Sequence, residues 1–122
     1  MKKFAMLLIL FFSAEASAEE SDILKIYEHF TLSGVAAEKC INTKEEELTS
    51  FLANYQMVSV FALTELRNQN PDLSSDQAQA VLNIGGEKIE QLVYEMIEND
   101  GCESSKIQDL IKRFHMLAEW KP

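Results

Sequence analysis

The sequence predicts an all-α protein, a four-helix up-down-up-down bundle with one disulfide. Three observations carry that expectation. Apolar residues recur at spacings of three and four over four separate stretches, and no stretch alternates as a half-buried strand would. Capping and breaking residues fall between the stretches. The only two cysteines, Cys40 and Cys102, stand at the end of the first stretch and the start of the fourth.

Ahead of the helices, residues 1–18 read as a secretory signal peptide. Lys2 and Lys3 form its positive end, Phe4 to Phe12 its apolar run, and Ala16-Ser17-Ala18 its small-residue cleavage box. That apolar run is far shorter than the roughly 20 residues a membrane-spanning helix needs. Glu19-Glu20-Ser21 follow the box, where a lipid-attachment cysteine would have to stand, so Cys40 is not a lipid anchor. The best later apolar run, Met57 to Leu63, contains Ser59 and stops at Thr64 and Glu65. The expected product is a protein soluble in the periplasm, with residues 19–122 as a single helical domain.

Removing Lys2, Lys3 and Glu15 with the leader moves the formal charge from −9 to about −10. Such a surface argues against nucleic acid and anionic lipid, because both demand lysine and arginine to neutralise phosphate. Protein partners are not excluded.

In the first helical stretch, Ser21 is the expected N-cap and Asp22 a favourable first-turn acid. Ile23, Tyr27, Phe30, Gly34 and Ala37 follow at helical spacing and form the core stripe. The second stretch opens on Thr43-Lys44-Glu45-Glu46, which fits a capping box. On that reading Glu45-Glu46-Glu47 start a helix rather than hold a metal or transfer protons. Leu48, Phe51, Leu52, Tyr55, Val58, Ala62 and Leu66 make its stripe, and Val60, Phe61 and Leu63 broaden it. This helix is expected to be the most enclosed of the four, with a partner surface as the alternative use of the surplus. Arg67 to Pro71 stops it.

The third stretch opens on a Ser74 to Gln77 capping box and carries Ala78, Leu82, Gly85, Ile89, Leu92 and Met96. Gly85 and Gly86 each cost about 1 kcal/mol relative to alanine in a helix interior, so the helix is expected to kink or split there. A phosphate cradle would need a Walker lysine and a preceding strand, and neither is present. Gly101 ends the stretch as a residue free to take positive φ. The fourth starts around Cys102 to Ser105, places Ile107, Leu110, Ile111, Phe114 and Leu117 on one face, and ends near Trp120.

Short connections then bring Cys40 and Cys102 to the same end of the bundle, which favours a disulfide between them. It would close a loop of 62 residues and stabilise the fold by on the order of 4 kcal/mol. Zinc shared with His29 and His115 is the competing use, although the spacing of a zinc motif is missing. A nucleophile has only those two histidines as candidate bases, and no G-x-S-x-G turn occurs. His115 is expected at the core edge or in solvent. The expectation is therefore a non-enzymatic protein with no catalytic residue, cofactor or metal. Methionine and aromatic side chains suit an adaptable groove for a partner helix, and the candidates are Tyr55, Met57, Phe61, Met96 and Phe114. The same five serve equally well as core.

With these elements in place, the chain resembles the small periplasmic pilotins of type II secretion systems. The likeness lies in Ala37-Glu38-Lys39-Cys40 closing a first helix, the aromatic-rich Phe51 to Phe61, the polar approach to Asp72-Leu73-Ser74, and Cys102 opening a last apolar helix through Leu117. It implies a four-helix fold with one disulfide that binds a short C-terminal helix of a secretin and brings it to the outer membrane. Without a lipid-attachment cysteine, the chain matches only the non-lipidated kind. The double glycine and the absence of a mid-chain tryptophan depart from the pattern. The second functional expectation is a periplasmic immunity protein whose acidic surface steers it onto a basic peptidoglycan-cleaving toxin.

Overall fold

The computed structural model describes residues 18–121, with side chains from residue 22 onward. Residues 1–17, most of the expected signal peptide, lie outside that range. Four helices follow in order: α1 (Ala18–Cys40), α2 (Glu45–Gln69), α3 (Ser75–Asp100) and α4 (Ser105–Ala118). No strand occurs among the described residues, and none of these helices is long and apolar enough to cross a membrane. The protein is an all-α bundle closed by a Cys40–Cys102 disulfide, with α-carbons 5.6 Å apart.

α1 is the helix on which the others pack. It meets α2, α3 and α4, whereas α3 and α4 approach each other least. Small side chains make this arrangement fit: Ser33, Ala36 and Ala37 are all buried, so neighbouring helices can close on α1 from several sides. The Ser33 hydroxyl is fully buried without a hydrogen-bond partner. Its small volume, rather than a hydrogen bond, is what the position uses.

The core divides into two clusters on different faces of α1. Phe30, Ala37, Phe51, Val58, Phe114 and Ala118 form the first, between α1, α2 and α4. Its rings interlock, with Phe51 4.6 Å from Phe114 and 5.2 Å from Phe30 between centroids, and Trp120 edge-on to Phe30 at 6.0 Å. Ala36, Val93, Ile107 and Ile111 form the second, between α1, α3 and α4. The expectation that α2 would be the most enclosed helix is therefore wrong. Leu52, Val60 and Phe61 are about half exposed, although α2 meets α1, α3 and α4.

Local signals acted as physical chemistry requires in some places and not in others. Ser74 accepts the Gln77 amide while the Gln77 side chain accepts the Ser74 amide, completing the capping box. Gly101 takes φ +84° and its amide donates to the Ile97 carbonyl, ending α3. Thr43 does not cap α2: Lys44 holds that position with no side-chain hydrogen bond, and Glu45, Glu46 and Glu47 favour the helix start through the macrodipole instead. Ser21 is no N-cap either, since α1 is already helical from Ala18.

α3 does not split at the double glycine; it runs unbroken from Ser75 to Asp100. A Cβ on Gly86 would stand in ordinary contact with the Tyr27 hydroxyl at 3.8 Å, and one on Gly85 would meet open space, so packing requires glycine at neither position. Val93 fills the core position expected of Leu92, which is half exposed one residue earlier. α4 stops at Ala118, before Trp120, and Asn54 from α2 explains how its end is satisfied. The Asn54 amide donates to the carbonyls of Leu117 and Trp120, both at 2.9 Å. The Leu117 carbonyl also accepts the Trp120 amide at 3.2 Å, so Asn54 adds to the backbone hydrogen bonds that close the helix.

The disulfide ties the end of α1 to the turn before α4 across a separation of 62 residues. Reduction with both thiols confirmed free should lower Tm by on the order of 10 °C or more. A thermal melt unchanged by reduction would contradict that.

Candidate functional site: an apolar cleft between α1 and α2

Two helical faces that resemble each other in spacing build the site. On α1, Thr31, Gly34, Val35 and Glu38 fall on one side at intervals of three and four; on α2, Leu48, Phe51, Leu52 and Tyr55 do the same. Between them lies a cleft of about 540 Å³, closed at one end by Ile41, Asn42 and Thr43 and floored by Ala37 and Phe114. α3 contributes nothing to its lining.

Gly34 shapes the floor. A Cβ there would stand 3.1 Å from Phe51 Cε2 and 3.3 Å from Cζ, so glycine lets the ring lie against the α1 backbone. Leu52 then projects from the α2 wall with 51% of its surface exposed. Full burial of a leucine side chain is worth about 1.5–3 kcal/mol, so at half exposure about half of that is left for a covering group to recover.

The polar groups in the cleft are tied to one another. Thr31 donates its single hydroxyl proton to the Tyr27 carbonyl at 2.9 Å. The 2.6 Å contact between Thr31 Oγ1 and Tyr55 Oη must therefore be donated by Tyr55. Behind them, the Tyr27 hydroxyl donates to the Leu82 carbonyl of α3 at 3.4 Å. Burial, with Tyr55 close by, pushes the Tyr27 pKa up to about 12. Outside the cleft lining, the Lys39 ammonium sits 4.7 Å from the centre of the Tyr94 ring on α3, and the Tyr94 hydroxyl donates to Glu90 at 2.9 Å.

The five residues read from sequence as a groove do not converge. Tyr55 lines the wall and Phe114 the floor, where it is 1% exposed. Met57 lies two residues beyond Tyr55, about 200° around α2, and does not line the cleft. Phe61 is half exposed elsewhere on the same helix, and Met96 packs into the second core cluster. Sequence reasoning missed Leu52 as surface because its period with Phe51 and Tyr55 is that of a core stripe, whereas Leu48 does pack against the core as its stripe predicts. It missed Thr31, Val35 and Glu38 because nothing in their type singles them out.

A second, polar cleft lies between the start of α2 and the end of α4, lined by Lys44, Glu45, Glu46, Glu47, His115 and Glu119 among others. There His115 Nδ1 pairs with Glu47 at 2.6 Å. His29 instead meets Arg113 at 2.8 Å, and burial together with the nearby guanidinium lowers its pKa. The zinc alternative is overturned: both cysteines are oxidised, the histidines have other partners, and no group of three or more His, Cys, Asp or Glu among the described residues could hold a metal.

Compared with known proteins, the chain matches no family model, no curated protein and no solved structure. Fold and cleft define its class: a small, disulfide-closed all-α bundle with an apolar groove beside the disulfide.

The raised Tyr27 pKa makes a prediction about alkaline stability. In the unfolded chain tyrosine loses its proton near pH 10, two units before Tyr27 does in the fold. Its contribution is complete below pH 10 and is lost as pH rises through about 12. Urea midpoints measured between pH 9 and 12 should fall less steeply for Tyr27→Phe than for the native chain; equal slopes would contradict the assignment.

Proposed function

We propose that the protein is a non-enzymatic, extracytoplasmic binding module whose α1–α2 cleft takes an amphipathic helix of another protein. The observation that carries this reading is the combination of an open cleft of about 540 Å³ with half-exposed Leu52 on its wall and a close-packed aromatic floor beneath. Helix-in-groove recognition needs such a trough with pockets for side chains at helical spacing. The disulfide supports it further by fixing the α1 end from which Ile41, Asn42 and Thr43 continue into the closed end of the cleft. Following the resemblance to pilotins, the occupant is the C-terminal helix of a secretin, met in the periplasm after signal-peptide removal.

The acidic start of α2 favours a second reading. Glu45, Glu46 and Glu47 lie side by side on the polar cleft, a surface suited to a basic toxin. Capture from periplasmic extract distinguishes the two. The native protein should recover a secretin, and Leu52→Glu should lose at least about tenfold of that recovery while retaining its circular dichroism and Tm, since Leu52 is already half in water. Recovery of a peptidoglycan amidase instead, or of secretin equally by both proteins, would overturn the pilotin reading.

A further inference from the structure

The polar groups of the α1–α2 cleft restrict the chemistry of what fills it. Thr31 and Tyr55 both line the cleft, and their two hydroxyl protons are already committed, Thr31 to the Tyr27 carbonyl and Tyr55 to Thr31. The pair can therefore accept a hydrogen bond from an occupant but has no proton left to offer. Seven residues along α1, Glu38 provides a second acceptor, and it carries a charge. The only ion pair among the described residues is His115 with Glu47, so Glu38 has no cationic partner. Its neighbour Lys39 is drawn over the Tyr94 ring. Between the two acceptors, Gly34 and Val35 leave an apolar stretch.

We infer that the partner is an amphipathic helix carrying two hydrogen-bond donors about seven residues apart, with a lysine or arginine meeting Glu38 and apolar side chains between. The inference rests on the reading of the cleft as a helix groove. Seven residues span about 10.5 Å on any α-helix, so an occupant lying along α1 reaches both acceptors from one face. A carboxylate or a carbonyl-only group would leave acceptor facing acceptor at the buried Thr31 end, and a carboxylate at the exposed Glu38 end would set like charges together, both unfavourable. The net charge of −9 acts in the same direction at longer range, raising the encounter rate of a cationic helix.

The test uses three stapled amphipathic helices, identical in their apolar residues and bearing lysine, norleucine or glutamate at the two donor positions. Affinities for the full oxidised protein are measured by fluorescence anisotropy at low and high salt. The lysine helix should bind about tenfold more tightly than the norleucine helix, and the glutamate helix most weakly. Glu38→Gln should remove most of the lysine preference, and added salt should shrink it. Equal affinities for the three helices, or a lysine preference untouched by Glu38→Gln, would overturn the donor requirement while leaving the groove in place. No binding by any of the three would overturn the groove reading itself.

Discussion

The fold depends on the ability of α1 to accept three helices at once. That is a steric constraint, and the run Ser33-Gly34-Val35-Ala36-Ala37 meets it with side chains so small that backbones and rings come close. Phe51 lies where a Cβ on Gly34 would crowd it, Val93 and Ile107 close on Ala36, and Phe30 and Phe114 complete the other cluster beside Ala37. Larger residues here would have to displace neighbours already at interior packing density. Because α1 is shared in this way, α2 need not be surrounded. It leaves Leu52, Val60 and Phe61 about half exposed although it meets α1, α3 and α4.

The cleft proposed as a binding groove is a consequence of that shared packing. Its floor is core, since Phe51 and Phe114 are each 1% exposed, and its walls are α1 and α2. The disulfide holds the end of α1, while Asn54 ties the α2 wall to the end of α4 through the Leu117 and Trp120 carbonyls. Thr31, Tyr27 and Tyr55 connect α1 to α2 and α3 through hydroxyls at mid-height. A groove so braced loses little freedom on filling, and preorganisation of that kind favours affinity.

Much of this fold is legible in the sequence. Four helices follow from period and punctuation, the Ser74 box and Gly101 mark the ends of α3 from their chemistry, and the cysteine pair follows from helix order. Helical period identifies which residues share a stripe, but it does not tell how many neighbours a helix has. For that reason Leu52 reads as core, and α2 as enclosed. A single step of about 100° separates Leu92 from Val93, and side-chain type cannot choose between two such apolar residues. Likewise the capping box at Thr43 was one residue out of register with the helix that formed, and the double glycine does not interrupt α3. Of the site, Tyr55 and Phe114 were legible as large side chains on apolar stripes. Glu38 and Thr31 acquire meaning only once their neighbours are known.

The central claim is that this cleft, rather than the other exposed apolar positions, receives the partner. Site-specific photocrosslinking in cells tests it most directly, with the photoreactive residue placed at Leu52 in one strain and at Val81, 47% exposed on α3, in another. The account predicts one discrete adduct from position 52, identified by mass spectrometry as a helical segment of an extracytoplasmic protein, and none from position 81. An adduct from position 81 alone, or the same adduct from both, would contradict it.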